Sequence, residues 1–199
     1  MRSIALLLVC VVLGVAFQPQ FPNRISRRIS RRSYTTALKF SELNELRSLI
    51  DEAGGQVGIS ADPAVVTKIE RVVDALPQTK NPTAIPLTGT HELLFSMAKG
   101  GSNGKVGPFV GKVNQIFVDD TNFINQVTLG PLKVELLATR EILDDKRVRV
   151  TFKKTRFNLF GNTLKETETK GSGVWTIKFF EDGLRIMDTP SLFIIKALK

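Results

Sequence analysis

The sequence predicts a mostly β protein: an antiparallel up-and-down β-barrel of about eight strands, preceded by two short α-helices. Three observations predict it. The apolar spacing changes from a period near 3.6 to a period of 2 after residue 87. The second half then divides into strand candidates at 91–97, 109–118, 122–129, 132–143, 147–154, 174–180, 184–187 and 192–197. Turn-forming pairs separate most of them: Asp119-Asp120, Gly130-Pro131, Asp144-Asp145, Asp182-Gly183 and Thr189-Pro190. Consecutive strands with short reversals suit a closed meander. The interior of a barrel of that size is either filled by side chains or holds one small ligand.

The chain begins with a leader. Residues 4–17, IALLLVCVVLGVAF, are apolar apart from Gly14. A helix of that length reaches roughly 21 Å, short of the ~30 Å hydrocarbon core. Arg2 precedes it, and Gly14 and Ala16 put small residues where a signal peptidase cuts. Residues 1–16 therefore read as a secretory signal peptide, rather than as an uncleaved anchor. Residues 17–38, FQPQFPNRISRRISRRSYTTAL, are rich in Arg, Ser and Thr and lack acid, the composition of a disordered organelle transit peptide. The folded domain is expected over 39–199, with helices in 41–76 and the barrel in 87–199.

Ser41 is the expected cap of a first helix with an apolar stripe of Leu43, Leu46, Leu49 and Ile50, ended by Gly54 and Gly55. Asp62-Pro63 opens a second. Its Val65, Val66, Ile69, Val72, Val73 and Leu76 form a broad buried face. Pro77, Pro82 and Pro86 then make a stiff connector. Within the β half, Leu132, Val134, Leu136 and Ala138 alternate with Lys133, Glu135 and Leu137. Val148, Val150 and Phe152 alternate with Arg147, Arg149, Thr151 and Lys153. Residues 99–107 read as a flexible loop, and 155–172 as a long polar connection at the barrel mouth.

Charge and chemistry exclude several classes. The net charge is +9, but residues 1–40 carry seven Lys and Arg and no acid. The body is left near +2, with no electrostatic footprint for nucleic acid. The single cysteine, Cys10, lies in the leader, and the single histidine is His91. The body thus lacks a thiol nucleophile, a disulfide and a Cys/His metal cluster. No catalytic residue, metal site or cofactor is expected, and His91 reads as a packed strand residue. GKVGPFVGK at 104–112 lacks the spacing and the Ser or Thr of a phosphate loop. Arg185, between Leu184 and Ile186, has three readings: facing solvent, stacked on an aromatic such as Trp175, or holding a ligand's polar head.

Several segments together resemble the plastid lipid-associated protein, or fibrillin, family. They are Asn81-Pro82-Thr83, residues 87–95 (LTGTHELLF), residues 107–115 (GPFVGKVNQ) and Gly183-Leu184-Arg185-Ile186. The two-helix lead-in, residues 147–152 (RVRVTF) and residues 191–195 (SLFII) fit the same order and spacing, so the resemblance covers roughly 40–199. It implies a lipocalin-like barrel that is not an enzyme and that binds or organises lipids, carotenoids or quinones at plastoglobules or thylakoids. The leader agrees: signal followed by transit-like segment, with Phe17 after the cut, resembles the presequence of proteins sent to complex plastids, which points to an alga. Two positions depart from the family pattern. His91 stands where the family usually carries an aromatic, and Asp188 stands near a usual basic residue, so the expected ligand is neutral, if there is one. The ligand-lining candidates are Leu93, Phe95, Leu136, Val150, Phe152, Trp175, Ile177 and Phe193, with Arg185 as the head-group contact. The expected partners are a hydrophobic small molecule and a plastid membrane or plastoglobule surface. The alternative is a solid-barrelled scaffold docked on a plastid enzyme, for instance one of quinone synthesis.

Overall fold

A computed structural model describes residues 31–99 and 101–198, with side chains from residue 39 onward. The expected signal peptide and most of the expected transit-like segment lie outside the described residues.

Helix α1 spans Arg31–Glu52. Ser41 is inside it and caps nothing, because no residue around it breaks a helix, and the helix reaches back into the stretch read as disordered. Its C-terminus is as expected: Gly54 and Gly55 take positive φ, and Gly55 N–H donates to the Ile50 carbonyl at 3.1 Å. Helix α2 spans Pro63–Ala75, and the Asp62 carboxylate accepts from Ala64 N–H at 2.8 Å.

Eleven strands follow: β1 (Gly89–Ser96), β2 (Lys105–Val106), β3 (Phe109–Val110), β4 (Lys112–Phe117), β5 (Asn122–Leu129), β6 (Leu132–Ile142), β7 (Arg147–Leu159), β8 (Asn162–Glu168), β9 (Ser172–Glu181), β10 (Leu184–Asp188) and β11 (Leu192–Ala197). Eight of them close a ring in the order β1-β4-β5-β6-β7-β9-β10-β11, each antiparallel to its neighbours, with β11 returning to β1. This is the expected up-and-down barrel, and no described helix is long and apolar enough to cross a membrane.

Three segments differ from the expectation, the first being 109–118, which is split at Gly111 into β3, paired with β2, and β4, paired with β1 and β5. The long polar connection is a hairpin. β7 runs on past the barrel rim, so that Arg147–Thr151 pair with β9 while Lys154–Leu159 pair with β8. The reversal is Phe160-Gly161, both at positive φ (49° and 84°). That primed turn suits a two-residue hairpin, but Phe is a rare occupant of it. Of the 99–107 stretch, read as a flexible loop, the part around Asn103 and Gly104 is tied down. Asn103 is buried and donates to the Ala98 carbonyl at 2.9 Å, and Gln56 Nε2 donates to the carbonyls of Asn103 and Gly111. A Cβ on Gly104, which sits at φ 87°, would meet Gln56 at 2.3 Å and the Gly111 carbonyl at 2.4 Å.

The core has two parts. Outside the barrel, α1 and α2 pack Leu46, Ile69 and Val72 on Phe95, Phe179, Ile186 and Ile194. Inside it, Leu93, Phe123, Val150, Ile177 and Ile195 share a second cluster. Strands under the helices are thus buried on both faces, which is why all of Leu184–Met187 are buried.

One end of the barrel is shut. The connector crosses it: Thr79 N–H donates to the Lys178 carbonyl, the Thr83 hydroxyl to the Asp144 carbonyl, and Leu87 joins the inner cluster.

Candidate functional site

The other end is open. A cavity of about 510 Å3 runs into the barrel there, within the range of small-molecule pockets. Alternation places its walls: Val113 and Gln115 from β4, Asn125 and Val127 from β5, Val134 and Leu136 from β6. Phe152, Trp175, Met187, Phe193 and Ile195 complete the apolar lining. The mouth lies between Ala98, Lys99, Ser102 and Val106 on one side and the Thr189-Pro190-Ser191 turn on the other. The β2–β3 hairpin beside it exposes Phe109 and Val110, and the β7–β8 turn at the same end exposes Phe160.

Below the cavity is a polar, cationic layer centred on Phe117. The Arg185 and Arg140 guanidinium carbons stand 5.1 and 5.6 Å from its ring centre, His91 meets it edge-on at 5.1 Å, and Phe123 stacks at 5.6 Å. Arg140 Nε donates to the Asp120 carbonyl at 2.7 Å. Arg185 Nη2 donates to Gln115 Oε1, and Arg185 Nε has no partner. Burial, and then the Arg140 charge, pull the Arg185 pKa down to about 9, which leaves it charged at neutral pH. No Asp or Glu side chain is buried among the described residues; the exposed Asp120 carboxylate lies 3.8 Å from Arg140 Nη2, which leaves Arg185 as the cation of this layer without a carboxylate partner.

His91 is neutral. Burial, then the Arg185 charge, lower its pKa to about 4 against the opposing bond to Thr88. Nε2 lies 3.2 Å from the Thr88 carbonyl, which can only accept, so Nε2 carries the proton and Nδ1 is a lone pair without a partner.

Of the expected lining residues, Leu93, Leu136, Phe152, Trp175 and Phe193 line the cavity. Val150 and Ile177 are in the barrel but packed beneath it. Phe95 faces the other way. Pairing steps from Leu93↔Ile195 to Phe95↔Ile194, so Leu94 is a bulge residue, and Phe95 turns out under the helices while Ala98 comes in. Arg185 stacks, as one of its readings held, but on Phe117 rather than Trp175, and it sits behind Gln115 instead of lining the cavity. Asp188 is outside, 2.9 Å from Lys178 Nζ. Sequence reasoning passed over Gln115 and Asn125. Their signal is a single polar side chain on the inward face of Val113-Gln115-Phe117 and of Phe123-Asn125-Val127.

A family model, PAP_fibrillin, matches residues 44–187. No curated protein and no solved structure matches the chain.

Proposed function

The chain belongs to the PAP_fibrillin family, whose members are plastid lipid-associated proteins, and from that premise we propose that it is a non-catalytic carrier holding one hydrophobic molecule in its barrel. The cavity carries this reading. It is open at one end, apolar along its walls and about 510 Å3 in volume. Each ligand CH2 buried there contributes about 0.8 kcal/mol, enough to retain a lipid, carotenoid or quinone tail without covalent chemistry. A scaffold docked on a plastid enzyme would suit a filled barrel, so the cavity favours the carrier. The lone histidine lies beneath the cavity, neutral and edge-on to Phe117, which does not suit a general base.

The mouth fits delivery to a lipid surface, a plastoglobule or thylakoid. Phe109, Val110 and Phe160 project at the open end, with Lys99 and Lys105 exposed beside the entrance. The leader supports import into a complex plastid through a signal followed by a transit-like segment.

The test is to incubate the purified protein with a total plastid lipid extract, repurify it, and identify what stays bound by mass spectrometry. One lipid or pigment class near one per chain is expected. An empty barrel after this treatment would return the scaffold to first place.

A further inference from the structure

Resting on the carrier reading, we infer that Gln115 is a hydrogen-bond donor fixed at the base of the cavity, and that the ligand is a hydrophobe whose inner end carries a carbonyl-type acceptor oxygen. A glutamine amide can present either its oxygen or its NH2 group. Here the choice is forced. Arg185 has only donors, and its Nη2 lies against the amide, so Oε1 must face Arg185. Arg185 cannot swing away, since it is 2% exposed and stacked on Phe117. Gln115 itself is 4% exposed and lines the cavity. Its Nε2 makes no hydrogen bond to a described residue, His91 across the strand pair included. What the amide offers to a bound molecule is therefore N–H.

The surroundings strengthen that donor. A cation bonded to the amide oxygen polarises the amide and makes its N–H groups more acidic. In the floor below, Arg140 Nη2 lies 3.8 Å from the exposed Asp120 carboxylate, but Arg185, which holds the amide oxygen, has no carboxylate partner, so the potential beside Gln115 favours the negative end of a C=O dipole. An inner end made only of CH2 would leave a desolvated N–H unpaired, a penalty that selects against it. The walls above, from Leu93 to Ile195, ask for the opposite chemistry along the rest of the ligand.

Trp175 is the only tryptophan and lines the cavity, so its fluorescence reports occupancy. The probes are a long-chain methyl ketone and the alkane of matching length, titrated into the full chain and into Gln115→Glu. The glutamate keeps an acceptor for Arg185 and gives it a counter-charge, but turns an acceptor toward the cavity in place of the donor. Comparing the ketone-to-alkane ratio of Kd between the two proteins cancels the probes' different solubility in water. The ratio should shift against the ketone by roughly tenfold in Gln115→Glu, as for the loss of one neutral hydrogen bond. Arg185→Met, which frees the amide to turn, should shift the ratio the same way by a smaller factor. An unchanged ratio in both variants, with the alkane still bound, would overturn the inference and leave the carrier standing. Silence of Trp175 toward both probes in the unmodified protein would overturn the carrier and this inference together.

Discussion

The Arg185 guanidinium lies 5.1 Å from the centre of the Phe117 ring, in a part of the molecule where no carboxylate is buried. The cation is held by a ring face and one amide oxygen. Such a group is costly to bury and more costly to strand. Gln115→Leu should therefore destabilise by about 1–3 kcal/mol. The double variant Gln115→Leu/Arg185→Met, which removes both partners, should recover most of that loss. Urea denaturation at pH 7 reads both, and simple addition of the two single effects would contradict this account.

The buried histidine makes acid sensitivity specific. Its folded pKa is lowered to about 4 from 6.5, so the unfolded chain takes up the proton first on acidification. The stability it permits is fully present above pH 6.5 and is lost as pH falls toward 4, by about 3 kcal/mol in total. His91→Phe should flatten the pH dependence in that window. Identical slopes for the two proteins between pH 7 and 4 would refute the assignment.

Phe95 separates stability from binding. It is fully buried between Gly58 and the helices, and a Cβ on Gly58 would meet its ring at 2.3 Å. Phe95→Ala should cost about 3–5 kcal/mol while leaving the affinity for a cavity ligand within about twofold. Thermal unfolding and Trp175 titration together decide it, and a large loss of affinity at unchanged stability would place the side chain in the barrel after all.

At the mouth, Phe109→Asp/Phe160→Asp should abolish most co-sedimentation with vesicles of plastid lipids, because each change puts a charge where an apolar tip would insert. Both side chains are exposed, so the melting temperature should stay within a few degrees. Undiminished sedimentation would mean that the open end is not the face that meets lipid.

The leader can be tested apart from the fold. Residues 1–38 fused to a fluorescent protein should deliver it to a complex plastid, and Phe17→Ala should leave it outside. Export of the unmodified fusion to the medium would refute the plastid assignment.

The barrel was legible because each strand carries its own period and its own turn. Asp182-Gly183 is the clearest case: both residues adopt positive φ, which their types allow. The hairpin at Phe160-Gly161 uses the same geometry with a residue that disguises it. The helix through Ser41 was misjudged at its start because a good capping residue is also a tolerable interior one. Of the site, the apolar walls followed from alternation until β1. There one extra residue, Leu94, inverted the faces, and no local chemistry marks a bulge of that kind. Gln115 was overlooked for a different reason. Its meaning depends on Arg185, 70 residues away in sequence, and only the closed ring brings the two together.

Closing the ring leaves the eight barrel strands without a free edge, but among the described residues the hairpin that outgrows it, like the short β2–β3 pair, keeps one. β8 pairs with β7 alone, and every residue of it is exposed. Its free edge is a template on which a second chain could add a strand. The sequence there, NTLKETE, puts Lys165, Glu166 and Glu168 along that edge. Charges on an edge strand discourage such pairing, and because β8 offers a single edge, a second copy joined there would give a closed pair rather than a chain of copies.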